Sequence, residues 1–375
     1  YEPSSQRGIS ALLAELLTKD TSHRSAQEIA ELVESIGGSF SATGGNNTIS
    51  LSVEVLPADL NIALGLLSDA LTSPTFDAAT FATEREAQVA GLKEDDDEIL
   101  EFGFRKLRER FFGNHPFAVG SDGRVADLEA LTVQNVAEHY QTLVNPGNMV
   151  LAATGDFDRE ALVAKLRPLL EAQLAARSFE AVDSATRFLP KAFDGFEPMD
   201  REQSVVLQAF PDAGIQEKDF VVAEMLNELF SGMSSRLFER VREDQGMAYY
   251  VGTTRVIGLA SGMFVFYAGT HPDQADAVVR EMDLEIARVA AAEVTDDELA
   301  RCRTRLKAAR PMGKQTIGAR AMHAAIQVTY GLPVDDDMEH AAQLNDIHAD
   351  TLARFVKDHF TEKKRVRLIV GPRTA

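Results

Sequence analysis

The chain contains two stretches that align without gaps, DLEALTVQNVAEHYQTLVNPGNMVLAATGD (residues 127–156) and QLNDIHADTLARFVKDHFTEKKRVRLIVGP (residues 343–372). Gly155 aligns with Gly371 in this comparison. Each stretch has the pattern of an amphipathic helix, a polar turn and a short apolar strand that ends at glycine. The two stretches therefore predict a tandem duplication with two similar halves.

Helices alternate with strand patterns in both halves of the chain. Pro57 opens a helix after the strand pattern ISLSVEVL, and Pro272 opens one after GMFVFYAGT. We predict an N-terminal domain at 1–180, a linker at 181–192 and a C-terminal domain at 193–375. The expected class is α+β, with two similar domains that each contain a mainly antiparallel sheet with helices packed on one face.

Composition excludes several classes of function. The 375 residues carry a formal net charge of −20, which opposes binding to nucleic acid or anionic membrane and favours a basic peptide or protein partner. Cys302 is the single cysteine, so neither an internal disulfide nor a cysteine-rich metal site is possible. No stretch approaches the roughly 18 apolar residues of a membrane-spanning helix, so we expect no membrane insertion.

The segment GISALLAELLTKDT, residues 8–21, predicts an amphipathic helix. Its apolar stripe consists of Ile9, Leu12, Leu13, Leu16 and Leu17, and the other face carries Ala11, Ala14, Glu15 and Thr18. Positions 11 and 15 lie one turn apart, so two histidines there would be able to share a metal, with a glutamate at 14 acting on bound water. This chain has no such set, and one carboxylate is a poor zinc site.

A second informative segment is SGMSSRLFERVREDQGMAYYVGTT, residues 231–254. We expect a helix that ends near Gly246, followed by a strand from Met247. Arg242 then lies in the last helical turn and Tyr249 at the start of the strand. A guanidinium and a phenol on opposite sides of a glycine turn are able to donate to one oxygen atom.

Together these segments resemble the pitrilysin/insulinase family of zinc metallopeptidases, in the branch that includes the mitochondrial processing peptidase. The pattern SSRLF, VRE and glycine-hydrophobic-Ala-Tyr is similar to that family's C-terminal half. GISALLAELLTKDT, RSAQEIAELVESIGGSFSA and TISLSVEVL are similar to its metal helix and the helix and strand that follow. The resemblance implies domains that form half of a clam-shell chamber.

The family's inverted HxxEH motif is missing from this chain. Carried over by position, Ala11 replaces the first histidine, Ala14 the catalytic glutamate and Glu15 the second histidine. In FATEREAQVAGLKED, Glu84 matches an accessory glutamate and Gly91 occupies the position of the third ligand. The resemblance therefore implies no metal in this chain.

The Arg242 and Tyr249 pair matches the residues that, in the family, reach across from the second half or subunit and hold the substrate carbonyl and oxyanion. The resemblance implies a non-catalytic subunit of a two-chain peptidase. Its expected partners are an HxxEH-bearing paralogous subunit, which supplies the zinc, and a peptide substrate. A periplasmic location is suggested by the resemblance alone.

Simpler interpretations exist for each of these residues. Without the family, Arg242 is a helix C-terminal cation and Tyr249 a half-buried strand aromatic. Arg236 is more simply a structural residue that pairs with Glu239 or Glu243.

Three further motifs have a simpler explanation than metal binding. NVAEH (135–139) and DDMEH (336–340) each differ from HxxEH by one residue, and surface-helix composition explains both. The acidic run EDDDE (94–98) is more typical of a solvated face than of a cation site.

Two other functions remain open at this point. The first is a purely structural or peptide-binding protein, similar to the peptidase-derived core subunits of respiratory complexes. The second is an independent hydrolase with a novel site. The second has little support, because the chain has no GxSxG element and Cys302 has no identifiable base.

Overall fold

The structure is a computed structural model that describes residues 2–174 and 188–373. The first of these ranges contains, in order, α1 (Ile9–Leu17), α2 (Ala26–Ser35), β1 (Ser39–Gly44), β2 (Ile49–Glu54), α3 (Leu60–Thr72), α4 (Ala78–Asp97), α5 (Ile99–Phe112), α6 (Val125–Ala130), α7 (Val133–Leu143) and α8 (Arg159–Leu174). The predicted linker, 181–192, falls mostly on residues outside the described ranges.

The second range contains both strands and helices, together with one π-helical segment. In order these are β3 (Phe193–Pro198), β4 (Ser204–Asp212), α9 (Phe220–Phe230), the π turn (Phe238–Glu243), β5 (Ala248–Ile257), β6 (Gly262–Thr270), α10 (Ala275–Ala290), α11 (Asp296–Gly313), α12 (Ile317–Thr329), α13 (Asp337–Asn345), α14 (Ala349–His359) and β7 (Val366–Gly371). No described helix is long and apolar enough to cross a bilayer.

The duplication predicted from sequence is visible in the helices. α7 and α14 occupy the same positions of the ungapped alignment, and each is followed by a short 3-10 turn. The strand that follows forms only in the second copy. Residues 150–155 are not in a sheet, so the strand predicted there is wrong. β7 lies between β3 and β4, whereas the described residues of the first half provide no such neighbours.

The described residues form two sheets of different size. β1 and β2 make an antiparallel pair, and the larger sheet has the order β3-β7-β4-β6-β5. Only the β3–β7 pairing is parallel in the larger sheet. The prediction of mixed helices and mainly antiparallel sheets is confirmed.

The chain divides into two compact units, and each unit is built from three separate ranges of the sequence. One unit comprises residues 1–94, 119–182 and 315–331, and the other comprises 95–118, 183–314 and 332–375. α12 therefore belongs to the unit that contains α1, and α5 belongs to the unit that contains the five-stranded sheet. Sequence periodicity cannot indicate that distant ranges join one unit, because it reports only local structure.

Helices cover both faces of the five-stranded sheet, whereas the sequence predicts helices on one face only. Val206 and Phe210 of β4 pack with α9, α10 and α14, while Val205 and Leu207 on the alternate face pack with α5. All nine residues of β4 are buried as a result. A strand covered on both faces places apolar residues on both, as the run Val205, Val206 and Leu207 of β4 does, whereas β2 alternates apolar and polar residues.

Candidate functional site

α1 buries its predicted apolar stripe. Ile9, Leu12 and Leu13 are fully buried, and Leu16 and Leu17 are 2% exposed. Glu15 is exposed, and its carboxylate forms no ion pair or hydrogen bond with the residues that the structure describes. The face opposite the stripe is nevertheless only partly open, since Ala14 is 0% exposed. A glutamate at this position would be placed in a buried environment.

Ala11 is partly covered by the last residue of β1. A Cβ atom added to Gly44 would lie 2.5 Å from the Cα of Ala11 and 2.7 Å from the carbonyl oxygen of Ser10. Only glycine permits the backbone of β1 to approach α1 this closely. The backbone of α1 at position 11 therefore lies directly against the end of β1.

The downstream metal-site positions lie on α4. Gly91 is exposed, and a Cβ atom added to it would contact nothing within 4 Å. Glu84, the position of the accessory glutamate, forms an ion pair with Lys19, with 3.0 Å between Oε1 and Nζ. Its carboxylate is thus already neutralised by a cation.

These residues do not fit a zinc ion. Structural and catalytic zinc needs three or four convergent nitrogen, sulfur or oxygen ligands. Across the described residues no group of three His, Cys, Asp or Glu side chains is placed to hold a metal. Ala11, Ala14 and Gly91 offer no donor side chain, and Glu15 is a single carboxylate.

The two near-copies of HxxEH are structural. His139 and His340 are 6% and 7% exposed, so the expectation of surface helices is wrong for both side chains. His340 Nε2 lies 2.8 Å from Oε2 of Glu224. His139 Nε2 lies 2.9 Å from Oγ of Ser10, and burial lowers the pKa of His139 to about 4. Each imidazole thus has a polar partner within the fold, and neither belongs to a group of three metal-ligating side chains among the described residues.

The acidic run 94–98 forms the exposed end of α4 and the residue after it. Asp96 pairs with Arg105. Arg201 donates to the carbonyl oxygen of Asp97 at 2.7 Å. The expectation of a solvated face is confirmed for this run.

The π turn presents Arg242 to solvent. Leu237 and Val241 are fully buried beneath it, whereas Arg242 is exposed and its guanidinium carbon lies 5.0 Å from the centre of the Phe238 ring. A ring at this distance restrains the guanidinium without neutralising it. Short π-helical segments occur frequently at functional sites.

A closed turn follows the helical segment, as the sequence predicts. Gly246 has φ of +60°, and its N–H donates to the carbonyl of Arg242 at 3.0 Å. The N–H of Met247 donates to the carbonyl of Val241 at 2.9 Å. A left-handed glycine that ends a helix in this way satisfies the last carbonyl groups. These two hydrogen bonds fix the backbone between Arg242 and the start of β5.

Tyr249 is the extra residue of a β-bulge. β5 pairs Ala248 with Thr270 and then Tyr250 with Gly269, which leaves Tyr249 without an opposite residue. Tyr249 is 60% exposed, so the alternative interpretation of a half-buried aromatic is wrong. Bulges redirect side chains and are frequent beside active sites. This bulge turns the phenol toward solvent instead of leaving it on the regular pleat.

Arg236 is structural, although its predicted partners are wrong. Its Nε lies 2.5 Å from Oε1 of Glu298, and its Nη1 lies 3.7 Å from Oε2 of Glu285. Burial raises the pKa of Glu298, but hydrogen bonds from Arg236 and Thr295 outweigh it, so the net pKa is lowered. Neither Glu239 nor Glu243 is a partner of Arg236. The true partners lie on α11 and α10, which sequence proximity could not indicate.

Comparison with known proteins identifies the family. Residues 1–119 match the family described as insulinase, peptidase family M16, and residues 130–306 match the M16 inactive domain. The chain belongs to the M16 peptidase family. The resemblance inferred from sequence is thereby confirmed, and membership together with the degenerate α1 is consistent with a non-catalytic M16 homologue.

Relatives from bacteria cover most of the chain. An uncharacterized zinc protease of Rickettsia felis is 27% identical over 331 residues, which is 86% of this chain and 77% of the relative. An uncharacterized zinc protease of Bacillus subtilis is 24% identical and covers 98% of this chain and 90% of the relative. The M16 relationship therefore extends through both halves of the chain.

Solved structures share the M16 fold. A protease from Helicobacter pylori superposes with a TM-score of 0.88 at 18% identity, over 99% of this chain and 90% of that chain. A peptidase M16 inactive domain from Pseudomonas fluorescens gives 0.86 at 19% identity, with the same coverage. At this identity the likeness concerns the fold alone.

Proposed function

We propose that this chain is the non-catalytic subunit of a two-chain M16 peptidase, in which an HxxEH-bearing paralogue supplies the zinc. This chain contributes Arg242, Tyr249 and part of the chamber wall. One observation carries the proposal: an M16 chain whose metal-site positions hold no ligand set nevertheless presents an exposed arginine and an exposed tyrosine on the two sides of a closed turn.

Arg242 and Tyr249 suit the stabilisation of negative charge on a peptide carbonyl oxygen. A guanidinium and a phenol are both donors, and neither requires a metal on this chain. Donors that are held in place before the reaction stabilise developing charge more than mobile ones, because little reorganisation is needed. The bulge at Tyr249 and the hydrogen bonds of the Gly246 turn supply that order.

The proposed substrate is a peptide with basic character. The net charge of −20 attracts cationic peptides and repels nucleic acid. A peptide-binding or structural role without cleavage is the alternative, and it predicts the same attraction without turnover. A measurement of peptide cleavage therefore distinguishes the two functions, whereas a measurement of peptide binding does not.

The decisive experiment measures peptidase activity and bound zinc for this chain, for an HxxEH-bearing paralogue from the same genome and for their equimolar mixture. The substrate is a pool of peptides of mixed charge. We expect a stable complex, zinc only in the paralogue, and cleavage that rises strongly in the mixture. A mixture that forms no complex, or a complex no more active than the paralogue alone, would overturn the proposal.

A further inference from the structure

Glu281 on α10 contacts the π turn and the turn that follows it, between Arg242 and Tyr249. Its Oε2 lies 2.9 Å from Nε of Arg240 in the π turn, and it also accepts a hydrogen bond from the side chain of Gln245 in the turn itself. The hydrogen bond from Arg240 lowers the pKa of Glu281, and that from Gln245 adds to the effect against the opposing influence of burial. One carboxylate has enough acceptor positions for both donors.

Two further contacts fix the same segment. Arg236, four residues before Arg240, binds Glu298 and lies beside Glu285, which is 2% exposed. At the other end of the turn, the hydroxyl of Thr270 donates to the carbonyl oxygen of Met247, and Thr270 is fully buried. The segment is therefore anchored before, within and after the turn.

The anchored side chains and the exposed side chains occupy different faces of the segment. Arg236 and Arg240 face carboxylates of α10 and α11, while Arg242 stays exposed above Phe238. Because Glu281 contacts both the helical part and the turn, its loss would loosen the connection on which the spacing of Arg242 and Tyr249 depends.

We propose that Glu281 is a positioning residue for Arg242 and Tyr249, acting through Arg240 and Gln245 and without contact to substrate. The catalytic consequence rests on the proposed function, whereas the structural consequence does not. Small displacements of positioned groups lower turnover strongly, by up to about 100-fold for 1 Å. We therefore expect an effect on turnover much larger than the effect on folding.

The first test uses this chain alone. Glu281→Ala removes both acceptor interactions, Glu281→Gln keeps one neutral acceptor oxygen, and Asp297→Asn removes an exposed acidic side chain of the same unit as a charge-matched control. Amide hydrogen exchange is read at Gly246 and Met247, whose N–H groups donate to Arg242 and Val241. We expect exchange to accelerate about tenfold in Glu281→Ala and less in Glu281→Gln, with an unchanged melting temperature. Unchanged exchange in Glu281→Ala would overturn the inference.

The second test uses the assembled pair and a double-mutant cycle. Glu281→Ala should lower kcat between about 10- and 100-fold with little change in KM, and Glu281→Gln should recover part of the loss. In the Tyr249→Phe background the further loss should be smaller than in wild type, because the Tyr249 hydroxyl is already absent and only the positioning of Arg242 remains to be lost. A merely structural role would give equal losses in both backgrounds.

The outcomes separate the two proposals. If Tyr249→Phe leaves turnover of the pair unchanged, the proposed function fails, and hydrogen exchange still decides whether Glu281 orders the turn. If Tyr249→Phe lowers turnover and Glu281→Ala does not, the positioning role is wrong and the proposed function stands.

Discussion

The Nε2 atom of His139 lies 2.9 Å from Oγ of Ser10, so the histidine of the NVAEH motif contacts α1 one residue before Ala11. An imidazole is thus present beside the helix that lacks the metal ligands. Its Nε2 atom is already paired with the Ser10 hydroxyl. Among the described residues it does not belong to any group of three side chains that could hold a metal ion. The proximity stabilises α7 against α1 and does not create a metal site.

This contact predicts a pH-dependent stability. Burial lowers the pKa of His139 from 6.5 to about 4. Between these values the unfolded chain binds a proton that the folded chain does not, so stability falls as the pH decreases from 6.5 to 4 and levels off below. The full difference is about 3 kcal/mol. Urea unfolding of wild type and His139→Gln across this range would show a smaller slope in the variant, and equal slopes would contradict the assignment.

Tyr249→Phe should lower turnover of the assembled pair about 100-fold while leaving assembly intact, because it removes one oxyanion donor without changing shape. The 60% exposure of Tyr249 means that the folded chain loses no buried contact of the hydroxyl. Steady-state kinetics and analytical ultracentrifugation of the pair check both parts. Tyr330→Phe, at a half-buried tyrosine outside the proposed site, is the control, and a similar loss there would argue against a specific role for Tyr249.

Arg242→Lys keeps the positive charge. It removes the planar guanidinium, with its fork of donors and its stacking on the Phe238 ring. If Arg242 acts by directed hydrogen bonds, turnover should fall at least tenfold, since lysine does not reproduce that geometry. Full activity in Arg242→Lys would indicate that charge alone suffices. Arg301→Lys, an exposed arginine on α11, serves as the control.

Asp212 and Arg255 form a buried ion pair in the unit with the five-stranded sheet. They are joined by Nε–Oδ2 and Nη2–Oδ1 contacts of 2.5 and 3.2 Å, and burial raises the pKa of Asp212 while Arg255 opposes the rise. Arg255→Leu should cost about 3–5 kcal/mol, because it leaves a buried acid without its partner. Chemical denaturation measures this loss.

The exposed pair Lys93 and Glu129 supplies the comparison for that measurement. Its side chains are 61% and 59% exposed and 3.7 Å apart. Lys93→Leu should cost less than about 1 kcal/mol. Similar losses in Lys93→Leu and Arg255→Leu would contradict the role of burial.

Replacing Gly91 or Gly44 by alanine should change the stability of the chain in opposite directions. Gly91→Ala should stabilise the chain by about 1 kcal/mol, since alanine favours a helix and its Cβ would meet open space. Gly44→Ala should destabilise it, because its Cβ would lie 2.5 Å from Cα of Ala11. Thermal unfolding of the two variants tests this, and a stabilising Gly44→Ala would contradict the close packing of β1 on α1.

Local patterns in the sequence were sufficient to predict several elements. The apolar stripe of α1 is buried as its spacing indicates, and the aligned positions of α7 and α14 follow from the internal repeat. The glycine turn after Arg242 also forms where predicted. These features depend on periodicity and turn chemistry within a few residues, which the sequence records directly.

The sequence by itself determined the M16 family, the loss of the zinc ligands and the identity of the candidate donors Arg242 and Tyr249, because these are statements about residue types at motif positions. Only the tertiary structure decided that Ala14 is buried, that Tyr249 lies at a bulge and that Glu281 of α10 accepts a hydrogen bond from Arg240. These properties arise from contacts between residues far apart in the chain, and burial and hydrogen-bond partners are defined only once those residues are packed together.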